Sequence, residues 1–242
     1  MKQWGWLALL AAAMASPAYA GPPFLSDDPD PTPHGEYEIY LFAAANTGSD
    51  EVEGDYGLDF NYGAGPDLQL TMAAPISFED PDGGDFQSGL GNIELAAKYR
   101  FLHQESFGWD VAVFPRVFLE SPSSVGEQHA SFLLPIWIGR EDGAWSTFGG
   151  GGCAINRGGE SEDYCIAGWA VNREVTSNFH LGGEVFHQTA DTKDGEASTV
   201  LGAGVTYDVS ENLHLLGYAG AQLEHSDVNG RGAFYSSILF TF

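Results

Sequence analysis

The chain has no long uninterrupted apolar run after its first twenty residues, and its mean hydropathy is only −0.14. A membrane-spanning helix needs about 20 predominantly apolar residues, so a helical membrane protein is excluded. Lysine and arginine are also scarce, 9 against 34 aspartates and glutamates. Because binding to phosphates requires a basic surface, the formal charge of −25 argues against nucleic acid as a partner.

Cysteine is nearly absent, with Cys153 and Cys165 the only two. Export into an oxidising compartment favours a disulfide between them over two free thiols. Neighbouring donor groups, those of Glu160, Glu162 and Asp163, are hard oxygen ligands that match thiolates poorly. We therefore expect no metal site and no cofactor.

Export is indicated by the first twenty residues, which have the organisation of a secretory signal peptide. Lys2 precedes the apolar run 6–14, and the small-residue pattern Ala18-Tyr19-Ala20 follows. Cleavage near Ala20 would leave a mature chain that starts at Gly21. The predicted organisation is a signal peptide (1–20), a proline-rich segment (21–34) and one domain (35–242).

From Glu36 onward, apolar and polar residues alternate with a period of two, as in strands with one apolar and one polar face. The pattern predicts twelve strands. Their predicted limits are Tyr37–Ala45, Tyr56–Tyr62, Asp67–Ile76, Leu90–Phe101, Trp109–Leu119, Ala130–Ile138, Trp145–Gly151, Tyr164–Val171, Phe179–His187, Thr199–Tyr207, Leu213–Leu223 and Phe234–Phe242.

The connections between these strands alternate in length: 10, 4, 13, 7, 10, 6, 12, 7, 11, 5 and 10 residues. Bacterial outer-membrane barrels have an even number of strands, long outer loops and short periplasmic turns. The sequence therefore predicts an all-β fold, a transmembrane antiparallel up-and-down β-barrel of about twelve strands in the cell outer membrane of a Gram-negative bacterium. Both ends of the mature chain would be periplasmic.

The last predicted strand alternates down to Phe242, an aromatic residue. Outer-membrane barrels characteristically end in such a strand, so we expect the barrel assembly machinery as a partner through Phe242. A soluble β-sandwich would rarely combine this ending with such regular alternation of loop length.

Acidic residues are concentrated in the long connections, which hold 18 of the 34. The simplest interpretation is a solvated outer rim. The alternative is bridging through divalent cations to anionic glycolipid, and outer-membrane lipid and glycolipid are expected partners in either case.

Three prolines, Pro75, Pro115 and Pro135, fall inside predicted strands. A closed barrel has no free edge where a missing N–H is harmless, so we expect them at bulges or strand ends that shape the wall. The alternative is a weakened ladder that opens the wall sideways to lipid.

If the apolar faces meet lipid, the opposite faces line the lumen. The lumen-lining candidates are Glu38, Tyr40, Asp59, Asn61, Glu94, Lys98, Arg100, Arg116, Phe118, His180, Glu184 and Phe186. The excess of acids argues against anionic cargo, and the aromatic side chains indicate either contact with apolar solutes or packing inside the lumen. Twelve strands imply a narrow route, with residues 21–34 either inside it as a plug or in the periplasm as a tether.

A lipid-modifying enzyme is the rival class. None of the seven histidines lies in a motif such as G-x-S-x-G, and the closest arrangement is His129 followed by Ser131. No catalytic residue is predicted. A structural or receptor-type barrel without transport is a further alternative.

Two short motifs, GPPFLSDDP at residues 21–29 and GEYE at residues 35–38, precede this all-strand remainder. Together they resemble the outer-membrane transporter family labelled MetA-pathway of phenol degradation. The resemblance implies an outer-membrane barrel for uptake of aromatic or other hydrophobic compounds and assigns no functional residues. We therefore expect a passive channel for small neutral or hydrophobic solutes.

Overall fold

The computed structural model describes residues 23–48, 51–224 and 231–242. The predicted signal peptide and its cleavage point lie outside these residues. Within them the chain consists of strands, connecting loops and one turn of helix, α1 (Gln104–Phe107). The strands are β1 (Tyr37–Thr47), β2 (Glu51–Gly65), β3 (Leu68–Pro81), β4 (Gln87–Leu90), β5 (Glu94–Leu102), β6 (Asp110–Val113), β7 (Arg116–Phe118), β8 (Ser131–Asp142), β9 (Trp145–Ile155), β10 (Tyr164–Thr176), β11 (Phe179–Gln188), β12 (Ser198–Ser210), β13 (Leu213–Gln222) and β14 (Gly232–Thr241).

These strands form one closed antiparallel sheet. Most strands pair with the strands before and after them in the chain, and β1 pairs with β14 to close the barrel. Strands β4 and β5 are two parts of one wall strand, since both pair with β3; β6 and β7 likewise both pair with β5 and β8. The predicted twelve-stranded barrel is confirmed, with two of its strands interrupted.

The prolines explain where the ladder is interrupted. The sequence predicted the prolines at bulges or strand ends. Pro115 lies in the gap between β6 and β7, Pro75 lies within β3 where the register with β4 and β5 shifts by one residue, and Pro135 lies within β8. The carbonyl oxygens of Pro75 and Pro135 accept hydrogen bonds from Gly91 and Phe114, both in the gaps. Because the N–H and C=O of one residue point to the same neighbour in an antiparallel pair, both missing donors face an interruption.

The outer face of the barrel is apolar, and most of its buried charged and amide side chains lie inside. Large apolar side chains such as Leu58, Met72 and Leu201 are about half exposed on the outer face. Charged and amide side chains such as Lys98, Glu184 and Gln69 are buried within it. A water-soluble protein buries its apolar side chains, so this inversion is the arrangement that lipid outside and a polar lumen inside require.

Connections at the two ends differ less regularly than predicted. At the end that holds Tyr37 and Phe242, four of the five connections have two residues and the fifth contains α1. At the other end, the β1–β2 and β3–β4 hairpins extend well beyond their predicted limits, leaving connections of residues 48–50 and 82–86. Strict alternation of length is therefore wrong for these two hairpins, because residues taken as loop continue the ladder, as in the Glu53–Glu79 pair.

The predicted disulfide is present. Cys153 on β9 and Cys165 on β10 are directly opposite in the register and are bonded to each other. The bridge closes the base of the loop 156–163, so it joins two strands that are already paired.

No helix among the described residues is long and apolar enough to cross a membrane.

Candidate functional site

Residues 23–32, here called the lumen segment, lie inside the barrel. Pro23, Ser26, Pro29 and Thr32 are buried. The segment leaves the barrel at Pro33, whose carbonyl accepts the N–H of Glu36 at 3.0 Å just before β1 begins. Proline at positions 23, 29 and 31 prevents a regular ladder with the wall, so side chains of the wall satisfy the backbone instead.

Glu184 on β11 is one such anchor. Its two carboxylate oxygens accept the N–H groups of Leu25 and Ser26 at 3.0 and 2.6 Å. The side chain is 3% exposed. A buried carboxylate requires strong donors, and hydrogen bonds to a charged group are the stronger class. At the carboxyl end of the lumen segment, the side-chain oxygen of Gln69 accepts the N–H of Thr32 at 2.8 Å.

Between these anchors, three aspartates of the segment pair with two bases on β5. Lys98 Nζ lies 3.0 Å from Asp27 Oδ1 and 3.5 Å from Asp28 Oδ1, and it donates to the carbonyl of Asp30 at 3.2 Å. Arg100 pairs with Asp30. Lys98 is 4% exposed, so it depends on these partners. These contacts connect the segment to β5.

Two carboxyl groups of the segment have raised pKa values. Burial raises the pKa of Asp28 to about 7, against the opposing effect of Lys98. Burial likewise raises the pKa of Asp30 to about 6, against the effect of Arg100. Protonation therefore favours the docked segment.

Glycines on the inner wall make room for the segment. A Cβ on Gly204 would lie 2.8 Å from the ring of Phe24 and 2.9 Å from Pro23, and one on Gly182 would lie 2.7 Å from the same ring. The Phe24 ring also packs near Phe148 and Tyr218, with centroids 5.8 and 6.1 Å apart. Any larger residue at Gly204 would therefore displace the ring.

The segment divides the lumen into cavities. An outer cavity of about 590 Å³ lies toward the long loops, with Leu25, Phe186 and Val200 among its lining residues. A central cavity of about 320 Å³ lies beside the segment, between Phe24 and Arg116. Two lower cavities, of about 230 and 310 Å³, lie toward the short turns, and Asp30 lines both.

The lumen candidates named from the sequence distribute among these cavities. Seven of them line the central cavity: Glu38, Tyr40, Asp59, Asn61, Glu94, Lys98 and Arg116. Phe186 lines the outer cavity, and Arg100 and His180 line the lower ones. Glu184 holds the segment. The ring of Phe118 stacks on Arg116, with 5.3 Å between the guanidinium carbon and the ring centroid.

The sequence placed the aromatic side chains of Tyr40, Phe118 and Phe186 inside the barrel, but it did not identify the aliphatic part of the inner wall or the glycines that seat the segment. Phe114, Leu133 and Trp137 form a buried cluster inside the barrel, with Phe118 and Phe186 packed against it. Tyr218 could have been found, because it has the same parity on β13 as the polar residue His214, and both side chains are buried. Gly182 and Gly204 could not, since a glycine in a strand does not show what it approaches.

Comparisons with known proteins agree with this architecture. The profile of the family described as "Putative MetA-pathway of phenol degradation" matches residues 53–240. A search of curated proteins by sequence finds no match.

Among solved structures, the chain is similar to the COG4313 outer membrane channel from Pseudomonas putida F1, with a TM-score of 0.72, 14% identity, and 89% of this chain and 98% of that one covered. It also resembles the NanC porin, with a TM-score of 0.59, 8% identity and coverage of 84% and 98%. For the KdgM porin the TM-score is 0.56, the identity 7% and the coverage 84% and 99%. At these identities the likeness is one of fold.

Proposed function

The chain belongs to the MetA-pathway phenol-degradation family, and we propose that it is a passive outer-membrane channel for small neutral or apolar solutes, aromatic compounds among them. The predicted signal peptide would deliver it to that membrane, with cleavage near Ala20. The observation that carries the proposal is the series of cavities inside an inside-out barrel, interrupted by the lumen segment.

The sizes and linings of the cavities suit small solutes. Ligand cavities in proteins commonly measure about 300–1,000 Å³, and the outer and central cavities, at about 590 and 320 Å³, are of that order. Leu25, Phe186 and Val200 offer an apolar surface to a solute in the outer cavity. The shared fold of the Pseudomonas putida channel supports the same class of function.

Passage requires the lumen segment to shift, because it lies between the outer and lower cavities. The segment is held by side-chain hydrogen bonds and ion pairs rather than by a strand ladder. Such contacts can break without opening the wall. In this proposal the segment sets the rate of permeation and the wall remains closed.

Chemistry on the solute is not part of the proposal. The nearest arrangement to a nucleophile and base, His129 with Ser131, is engaged otherwise: Nε2 of His129 lies 2.8 Å from Asn156 Oδ1, and Nδ1 lies 3.4 Å from Glu127 Oε2. These contacts favour a loop-stabilising histidine over a general base for Ser131.

The test is reconstitution into vesicles that contain outer-membrane glycolipid, with the uptake of phenol-like solutes, neutral sugars and ions compared with protein-free vesicles. We expect phenol-like solutes to penetrate faster than sugars of similar size. Equal impermeability to all three would overturn the proposal and favour a structural or receptor-type barrel.

The variant Gly204→Val tests the role of the segment. Overpacking costs about 1–3 kcal/mol, and here it acts on Phe24 and Pro23, the nearest neighbours of a Cβ at this position. We expect severalfold faster permeation. Gly217→Val on β13 is the matched control, because its nearest neighbour is Val205, 3.6 Å from the Cβ position. Equal effects of the two variants would mean that the wall, not the segment, limits permeation.

A further inference from the structure

We infer that the lumen selects by charge, and that among small aromatic solutes it admits organic cations, such as aromatic ammonium compounds, faster than neutral solutes and far faster than anions. The inference rests on the proposed channel function and names the solute class for that same lumen. Five observations carry it, from the outer cavity to the lower cavity beside α1.

The outer cavity is acidic. Glu51, Glu53, Asp191 and Glu196 line it, against Arg231 as the one lysine or arginine among its described lining residues. Walls of low dielectric focus such a field and raise the local concentration of counter-ions. A cationic solute is therefore concentrated at the first cavity it meets, while an anion is depleted there.

The bases of the central cavity are already engaged. Arg116 makes a bidentate pair with Glu94, with distances of 2.7 and 2.6 Å, and Lys98 is held by Asp27 and Asp28. Glu38 and Asp59 line the same cavity and form no ion pair with any residue that the structure describes. Acidic side chains therefore outnumber basic ones in the lining of this cavity.

In the same cavity, two basic side chains of the chain itself lie over an aromatic face. Lys98 Nζ and the guanidinium of Arg116 lie 5.2 and 5.4 Å from the centroid of the Phe114 ring. Rings of Phe24, Tyr40 and Tyr235 complete the lining. Carboxylates beside aromatic faces recognise an ammonium group carried by an apolar body.

A hydroxyl in this cavity lacks a partner. Ser26 is fully buried and lines the central cavity, and its Oγ has no hydrogen-bond partner among the described residues. A buried hydroxyl without a partner is uncommon. An N–H donor of an amine can supply the missing partner, which a hydrocarbon cannot.

The lining of the lower cavity beside α1 is also acidic. Asp30, Glu105, Asp110 and Glu141 line it, and its one arginine, Arg100, pairs with Asp30 and Asp67. A cation thus meets negative potential from the outer cavity to the short turns. An anion meets repulsion at every stage.

The experiment uses proteoliposomes and three probes that share a phenyl ring and differ in charge: benzylguanidinium, which also carries N–H donors, phenyl glucoside and benzenesulfonate. The two ions remain charged at neutral pH, so they cross protein-free lipid poorly. We expect initial uptake in the order cation, neutral probe, anion, with at least about a tenfold ratio between the ions, which corresponds to about 1.4 kcal/mol. Raised ionic strength should reduce the ratio.

The double variant Glu51→Gln/Glu53→Gln should reduce the ratio severalfold. Glu160→Gln/Glu162→Gln is the control, since it removes the same charge from the exposed loop 156–163 outside the cavities. Equal effects of the two double variants would overturn the inference, because the selectivity would then come from overall surface charge.

Two further outcomes separate the inference from the proposed function. Anion uptake as fast as cation uptake, with the neutral probe admitted, overturns the charge selection alone. Exclusion of all three probes, as in protein-free vesicles, overturns both.

Discussion

Glu184 shows at the scale of one residue how the barrel holds its own amino-terminal segment. It is a buried carboxylate on the inner face of β11, and it accepts two backbone N–H groups from a segment that lies 158 and 159 positions earlier. Proline prevents a regular strand ladder in this segment. The Glu184 side chain therefore accepts backbone hydrogen bonds that a neighbouring strand would otherwise accept.

Replacing this carboxylate should loosen the segment. In Glu184→Gln, one charged acceptor becomes a neutral amide, and we expect a loss of about 1.5 kcal/mol of docking free energy, roughly tenfold in the docking equilibrium. Hydrogen exchange at residues 24–32 measures it. Glu211→Gln in an exposed two-residue turn is the control, and unchanged exchange in Glu184→Gln would refute the anchoring role.

Asp28 should make docking depend on pH. Its pKa in the docked segment is about 7, above the ordinary value of 3.8, because of burial. The docked state therefore binds the proton more tightly, so docking is strongest below the ordinary pKa and weakens as pH rises to about 7, by at most about tenfold per pH unit.

Solute uptake followed between pH 4.5 and about 8 checks this, with permeation expected to rise and then level off above pH 7. Asp28→Asn keeps the side chain neutral and should flatten much of the profile, leaving the contribution of Asp30. Lys98, Asp27 and Asp30 face the same carboxyl group. If uptake by Asp28→Asn depends on pH as it does in the unaltered protein, Asp28 is not the group that makes docking depend on pH.

At the scale of the element, β9 depends on its run of glycines. Gly150 has a φ of +152°, and a methyl group at this position would collide with the carbonyl oxygen of Ile136 and lie 3.1 Å from the Trp137 indole. The strand therefore passes close behind a fully buried indole, which only a residue without Cβ allows.

Gly150→Ala should destabilise the barrel by at least about 2 kcal/mol, through backbone strain and overpacking. Urea unfolding in lipid vesicles, followed by tryptophan fluorescence, gives the value. Gly217→Ala is the matched control because its Cβ has room, and we expect a change below about 1 kcal/mol there. Similar losses in both variants would point to strand propensity rather than to the Trp137 contact.

At the scale of the whole molecule, closure depends on the pairing of β1 with β14. Tyr37 and Phe242 exchange two backbone hydrogen bonds of 3.0 Å at the end of this seam. The Phe242 side chain is 63% exposed, so it contributes little to the closed barrel itself. We propose that it acts before closure, as the residue read by the barrel assembly machinery.

Phe242→Ala should accordingly lower the yield of folded protein in cells severalfold, while the unfolding free energy of purified, refolded protein changes by only about 0.5 kcal/mol. Heat-modifiable gel mobility measures the first and urea unfolding the second. Phe234→Ala removes an exposed ring from the same strand and serves as control. Equal assembly defects would show that strand apolarity, not the terminal aromatic, matters.

The residues of the site divide between those that the sequence indicated and those that it did not. Glu38, Asp59 and Arg116 could be assigned to an inner face because parity along a strand is a local rule, and they line one cavity. Their partners could not be assigned: that Lys98 meets Asp27 and Asp28, 71 and 70 positions earlier, follows from how the chain returns into its own barrel.

The sequence by itself determined the closed barrel of twelve wall strands and its inside-out polarity, and it favoured the disulfide between facing strand ends. Those features follow from period-two alternation and short connections, which act between near neighbours along the chain. The tertiary structure alone decided that residues 23–32 lie in the lumen, that glycines seat Phe24, and that prolines face the two interruptions of the wall. The physical reason is that each depends on groups brought together from distant positions, and no local pattern carries that information.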